Sequence, residues 1–232
     1  MSSGDPENLS RRALLLTGAA LPCAPLVRAN PSSAHARRKF DTARFVEECR
    51  AAASAGPDAQ AALREVLARE MADCDSVLAG LGAPARGGLK ALYQSRDLTI
   101  LNIVWSPLMQ LLPHEHNMWA LIGIYTGRED NVFWRRRPGR PLEATTAKAI
   151  SAGDVVPLAS DVIHSVNNPI EKLTGAIHVY GGDFFSVHRS EWDPETLSER
   201  DWSIREAVRN FEHSNARFFN PGCKVSPPSN PG

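Results

Sequence analysis

The chain lacks a charge surplus of either sign: 26 Lys and Arg stand against 26 Asp and Glu, a formal net charge of zero. Without a basic excess, composition gives no footing for nucleic acid or an anionic surface, and the expected partner is small and polar. Cysteine is scarce and scattered. Cys23, Cys49, Cys74 and Cys223 form no C-x-x-C pair, which argues against a zinc knuckle, a dithiol redox motif and a dense disulfide framework, and leaves them as small buried hydrophobes. Long apolar runs are missing as well. The stretch 13–21 is too short to span a bilayer.

That stretch sits in a leader-like setting, with Ser10-Arg11-Arg12 before it and Val27-Arg28-Ala29 after it. The layout resembles a twin-arginine export signal, which would make the protein periplasmic; the plainer reading is an extension on a chain that stays in the cytoplasm. Residues 1–36 are therefore set apart. Residues 37–219 are expected to form one domain, large enough to bury a core of its own. The Pro- and Ser-rich end, 220–232, is expected to be disordered.

Within the domain, Asp41 is placed to cap a helix running to about Ala53, with Phe40 and Phe45 at the spacing of a hydrophobic staple. Leu63, Val66, Leu67, Met71, Cys74, Val77 and Leu78 recur at steps of three and four, which predicts one second helix ended by Gly80 and Gly82. From 89 to 180 the texture changes to short β-branched and aromatic runs, 98–105, 119–125, 131–135, 162–166 and 176–180, punctuated by Gly127, Pro138-Gly139, Gly153-Asp154 and Asn167-Asn168-Pro169. Strands so spaced predict a sandwich or barrel. Asp201 is placed to cap a last helix with Ile204, Ala207, Val208 and Phe211 on one face.

The chemistry is carried by histidine. In His114-Glu115-His116 the two imidazoles lie at i and i+2, so on a strand both face one side while Glu115 turns away; Pro113 suits a strand start or edge. A further imidazole, His164, follows the Gly153-Asp154 turn in the run Asp161-Val162-Ile163-His164. An H-x-H, a Gly-Asp turn and a single His on a later strand resemble the metal site of the cupin superfamily. That resemblance implies a mainly β fold, a cupin double-stranded β-helix (jelly-roll barrel) with N-terminal helices and a C-terminal helix. The commonest cupin pattern has a glutamate a few residues past H-x-H, whereas this chain has Asn117-Met118-Trp119-Ala120-Leu121-Ile122. Three neutral imidazoles suit iron(II), zinc or copper over magnesium or calcium, and three protein ligands leave positions open for substrate.

Gly175-Ala176-Ile177-His178-Val179-Tyr180 narrows the resemblance, because His178 and Tyr180 share a strand face. With Pro113-His114-Glu115-His116 and His164-Ser165-Val166-Asn167, it resembles the thiol dioxygenases, the group of cysteine dioxygenase and 3-mercaptopropionate dioxygenase, over 40–185. The resemblance implies that His114, His116 and His164 hold Fe(II), that a small thiol and O2 are the partners and a sulfinic acid the product, and that His178 and Tyr180 are catalytic. Two family features are absent. Ala176 stands where the family has the outer serine of a Ser, His, Tyr relay, and no cysteine lies near the H-x-H strand to link to Tyr180. Relatives of this kind are mostly cytoplasmic. A three-histidine cupin acting on a carbon substrate such as a diketone, and a metal-binding cupin without turnover, are the alternatives.

In that family a residue before the first long strand binds the substrate carboxylate, arginine in one branch and glutamine in the other. Here Gln94 and Arg96 alternate onto one face of Leu92-Tyr93-Gln94-Ser95-Arg96, with Gln94 the first choice and Arg96 equally readable as a turn residue beside Asp97. Trp119 is read as packing or as a wall of the substrate pocket. His35, His188 and His213 are read as ordinary surface or structural residues, and Arg135-Arg136-Arg137 as a solvated strand end.

Overall fold

The structure, a computed structural model, describes residues 39–219. The leader-like segment with its paired arginines, His35, Cys23, Cys223 and the end 220–232 lie outside the described residues.

Helix α1 (Thr42–Ala53) begins where predicted. The Asp41 carboxylate accepts the Arg44 backbone N–H at 2.8 Å, and the Phe40 and Phe45 rings, 5.4 Å apart, close the staple. The second apolar stripe does not form one helix but two, α2 (Ala59–Met71) and α3 (Cys74–Leu81). Asp73 is the reason: its side chain accepts the Ser76 N–H at 3.1 Å, starting a new helix instead of continuing the old one. The stripe survives the break, since Leu63, Val66, Leu67, Met71 and Val77 are all buried. Gly82, at φ +86°, ends α3.

Among the described residues, eleven strands make two sheets. Sheet A runs β1 (Gly88–Gln94), β2 (Thr99–Trp105), β9 (Thr174–Tyr180), β4 (Ala120–Thr126), β7 (Val155–Leu158). Sheet B runs β11 (Glu199–Asp201), β10 (Ser190–Trp192), β3 (Gln110–Glu115), β8 (Ile163–Asn167), β5 (Arg128–Arg137), β6 (Arg140–Ser151). The antiparallel pairs β2 with β9, β3 with β8, β4 with β7 and β5 with β6 describe one long hairpin wound so that successive rungs fall alternately in sheets A and B. That winding is a double-stranded β-helix, the jelly roll of cupins. The five predicted runs lie in β2, β4, β5, β8 and β9. β6 escaped prediction because it is mostly exposed, with Leu142 and Ile150 its buried apolar residues.

Alternation along β9 separates two cores. Ala176 and Tyr180 point into the barrel with Trp105, Ile122 and Phe211, while Ile177 and Val179 point out onto the helical layer of Phe45, Leu63 and Leu67. Each such fully buried aliphatic side chain contributes roughly 1.5–3 kcal/mol.

The last helix, α4 (Ile204–Phe219), departs from prediction at its start and on one face. Asp201 ends β11 and its carboxylate meets His188 Nε2 at 3.1 Å, so it is not the cap. Val208 is 39% exposed; the buried face is Ala207, Phe211 and Asn215, spaced by four. Asn215 fixes that face by accepting the Gly87 N–H at 2.8 Å and donating to the Gly87 carbonyl at 2.9 Å.

Candidate metal centre

His114 stands at the end of β3, directly opposite His164 on β8. Pro113 occupies neither a strand start nor an edge: it sits within β3 at a bulge against β8, where its missing N–H breaks no ladder bond. His116 follows β3, just before Asn117, whose positive φ of 54° turns the chain towards β4. The ligand-bearing nitrogens of His114, His116 and His164 all lie within 4.8 Å of one another, and the three rings are buried.

Each orienting bond leaves a lone pair free. His164 Nδ1 lies 2.6 Å from the Asn131 Oδ1, an oxygen that only accepts, so Nδ1 carries the proton and Nε2 does not. That Nε2 is buried with no hydrogen-bond partner. A buried polar atom left in this way costs about 1–3 kcal/mol, and a metal ion is the partner that a bare imidazole nitrogen beside two others fits. His114 Nδ1 likewise lies 2.9 Å from the Leu112 carbonyl oxygen. Glu115 turns away, accepting the Ser190 N–H at 3.3 Å and facing Arg136 at 3.6 Å. The donor set is therefore all imidazole, suited to a borderline transition metal with open positions.

Burial holds these rings neutral. Loss of solvation pushes His114 down to about 4, partly offset by the Leu112 carbonyl, and drives His116 and His164 well below the ordinary value of 6.5. In the unfolded chain the same imidazoles protonate near 6.5, so between there and about 4 the unfolded state binds more protons than the native one. Stability of metal-free protein is thus full above about pH 6.5 and lost as pH falls towards 4, with His114 alone worth on the order of 3 kcal/mol. Thermal melts of chelator-treated protein at pH 7 and pH 4.5 are expected to show the fall in melting temperature; His114→Gln should lessen it, leaving the share due to His116 and His164.

His178 and Tyr180, both on β9, come to the same chamber. His178 Nδ1 is 3.0 Å from the Tyr180 hydroxyl, and the Tyr180 ring lies 5.1 Å from that of His116. Burial raises the Tyr180 hydroxyl well above its ordinary range. The chamber is narrow, about 30 Å³, and is walled by the three histidines, His178, Tyr180, Phe184 and Trp202. A larger depression of about 550 Å³ on sheet B, beside Trp134 and Lys148, holds none of these histidines.

Three sequence-based expectations fall away from the chamber. Gln94 is exposed at the end of β1 and donates to Asp183 at 2.9 Å, and Arg96 is exposed in the following turn. Both lie beyond the barrel wall because β1 is the edge strand of sheet A. Trp119 packs with the helix-facing core and against Gly181, where an added Cβ would meet its ring at 2.1 Å.

Three buried residues that the sequence did not mark touch groups that line the chamber. Arg189 is 2% exposed, with its guanidinium between the rings of Phe184 and Trp202, at 4.2 and 3.6 Å from their centroids. Nη1 donates to the Phe184 and Val187 carbonyls at 2.6 and 3.2 Å, while Nε and Nη2 have no hydrogen-bond partner. Burial lowers Arg189 to about 10, and its charge bears on Tyr180, His114 and His116. Glu129 and Asn131, wholly buried at i and i+2 of β5, face inward.

No protein-family model matches the chain. Among solved structures it is similar to a cupin family protein with a double-stranded β-helix fold from Methanocaldococcus jannaschii, at TM-score 0.38 and 15% identity over 44% of this chain and 87% of that one. An oxalate decarboxylase variant from Bacillus subtilis gives TM-score 0.35 and 16% identity over 44% of this chain and 27% of that one. A cupin 2 conserved barrel domain protein from Salinispora arenicola gives 0.32 and 22% over 40% and 72%. The strand order and the histidine geometry stand without them: the chain is a double-stranded β-helix with a buried three-histidine cluster able to hold a metal ion.

Proposed function

We propose that the protein is a non-haem iron(II) dioxygenase that converts a small carboxylate-bearing thiol to its sulfinic acid. The observation that carries this reading is the pairing of an all-imidazole cluster with a buried guanidinium whose Nε and Nη2 are unused. Those two groups form the side edge of the fork, which meets a carboxylate in two parallel charge-assisted bonds. A cavity of about 30 Å³ favours a substrate of a few heavy atoms.

His114, His116 and His164 would hold the iron, which when bound supplies open positions for a thiolate sulfur and dioxygen. The overall change is R–SH plus O2 to R–SO2H. Both oxygen atoms end on sulfur, which loses the four electrons that dioxygen gains, so no external reductant enters. The protein's own part is placement. Arg189 holds the carboxylate, Tyr180 presents its hydroxyl oxygen to the chamber with its proton towards His178, and Phe184 and Trp202 exclude water.

The test is iron content together with oxygen uptake over thiols with and without a carboxylate and over a diketone, using labelled dioxygen. Uptake of one dioxygen per thiol with both labels in the product supports the reading. Uptake with the diketone alone, or none with iron loaded, overturns it.

A further inference from the structure

A buried carboxylate joins the two halves of the chamber. Glu129 is fully buried, and both its oxygens are engaged as acceptors: Oε1 takes the Asn131 Nδ2–H at 2.9 Å and Oε2 takes the Trp105 indole N–H at 2.7 Å. The first contact decides how Asn131 sits. With its amide nitrogen held by Glu129, Asn131 must present Oδ1 to His164 Nδ1, which makes that nitrogen the protonated one and leaves Nε2 bare. The second oxygen also lies 3.7 Å from His178 Nε2, which has no hydrogen-bond partner of its own. A proton on Nε2 is drawn towards this carboxylate. His178 Nδ1 is then the acceptor, and the Tyr180 hydroxyl, 3.0 Å away, must donate to it.

We propose that Glu129 is a positioning residue that sets both tautomers at once, His164 through Asn131 on the metal side and His178 on the Tyr180 side. The inference rests on the proposed function for its catalytic arm and on the three-histidine cluster alone for its metal arm. It gives a physical role to a buried acid that no metal contact and no arginine or lysine ion pair explains among the described residues. It also identifies what faces His178 where Ala176 offers no hydroxyl.

The experiment uses Glu129→Gln, which keeps the shape but has one acceptor where two donors converge, so either Asn131 or Trp105 meets an amide NH2. Asn131→Ala and the double variant complete a cycle. Cobalt(II) alone is the probe, with its affinity measured by chelator competition and its visible ligand-field spectrum recorded. Glu129→Gln is expected to weaken cobalt about 10-fold, within the range for lost outer hydrogen bonds to a ligand. The double variant is expected to bind no more weakly than Asn131→Ala, because both changes break one chain of contacts. In the oxidation assay, Glu129→Gln should lower kcat with little change in KM, and adding it to Tyr180→Phe should cost little more.

Unchanged cobalt affinity in Glu129→Gln, or full additivity in the cycle, overturns the inference whether or not the protein oxidises thiols. Absence of thiol oxidation with a non-additive cobalt cycle removes the proposed function and keeps the metal arm. If Glu129→Gln does not fold, Glu129→Asp, which withdraws the carboxylate by one methylene, is put through the same cycle and read the same way.

Discussion

His164→Ala is expected to empty the centre, with bound iron falling to less than about a tenth of the wild-type amount and thiol-dependent oxygen uptake falling with it. The imidazole leaves two protein donors where three had converged, and it also releases the Asn131 oxygen that had fixed its tautomer. The strand itself should survive. β8 is held by backbone pairing to β3 and β5, in which the side chain takes no part, so circular dichroism should be unchanged. His188→Ala is the control, since His188 is exposed and pairs with Asp201 at the surface. Normal iron in the His164 variant, or equal loss in both, would refute the assignment.

The second large effect is expected at Arg189. Methionine keeps an unbranched apolar volume between Phe184 and Trp202 while removing the guanidinium. For thiols with a carboxylate, kcat/KM should drop about 100-fold, since loss of one partner of a buried charge pair costs 2–5 kcal/mol. For a thiol of the same length without the carboxylate it should barely move. Stability is expected to hold or rise, because a desolvated cation with unpaired donors is removed from free protein. Lysine should rescue only in part: it restores charge without the fork. An equal loss for both classes of thiol would make Arg189 a packing residue and leave the carboxylate without a partner.

Much of this centre was legible in the sequence because strand alternation is a rigid rule. Once 110–116 is extended, His114 and His116 share a side, and once 176–180 is extended, so do His178 and Tyr180. Even so, His116 lies just beyond its strand, next to a left-handed Asn117 that turns the chain. The residues that escaped are those whose role depends on distant partners. Arg189 is buried by Phe184 from its own loop and by Trp202 from the segment before α4. Glu129 is buried because Trp105, from another sheet, caps its carboxylate. No local pattern separates such a charge from a solvated one. Gln94 lies away from the chamber for the complementary reason: alternation gives a side, but not whether that side faces a cavity or, on an edge strand, the solvent. The helices were read well where a cap stood next to the stripe, as at Asp41, and misread where a cap fell inside it, as at Asp73.

The two-sided burial of β9 bears on how the centre moves in time. Its amides are bonded to β2 on one flank and β4 on the other, and every residue from Thr174 to Tyr180 is shielded above and below. Opening that strand means unzipping both neighbours and lifting the helical layer, an event close to global unfolding in rarity. His178 and Tyr180 are therefore fastened to the slowest-breathing part of the molecule. Arg189 and Phe184 belong to the connection after β9, where rearrangement needs no sheet to part. A division of labour follows from that contrast for the proposed reaction: His178 and Tyr180 are held in place by the sheet, and any adjustment that admits a ligand to so tight a chamber falls to the arginine and the ring it rests on.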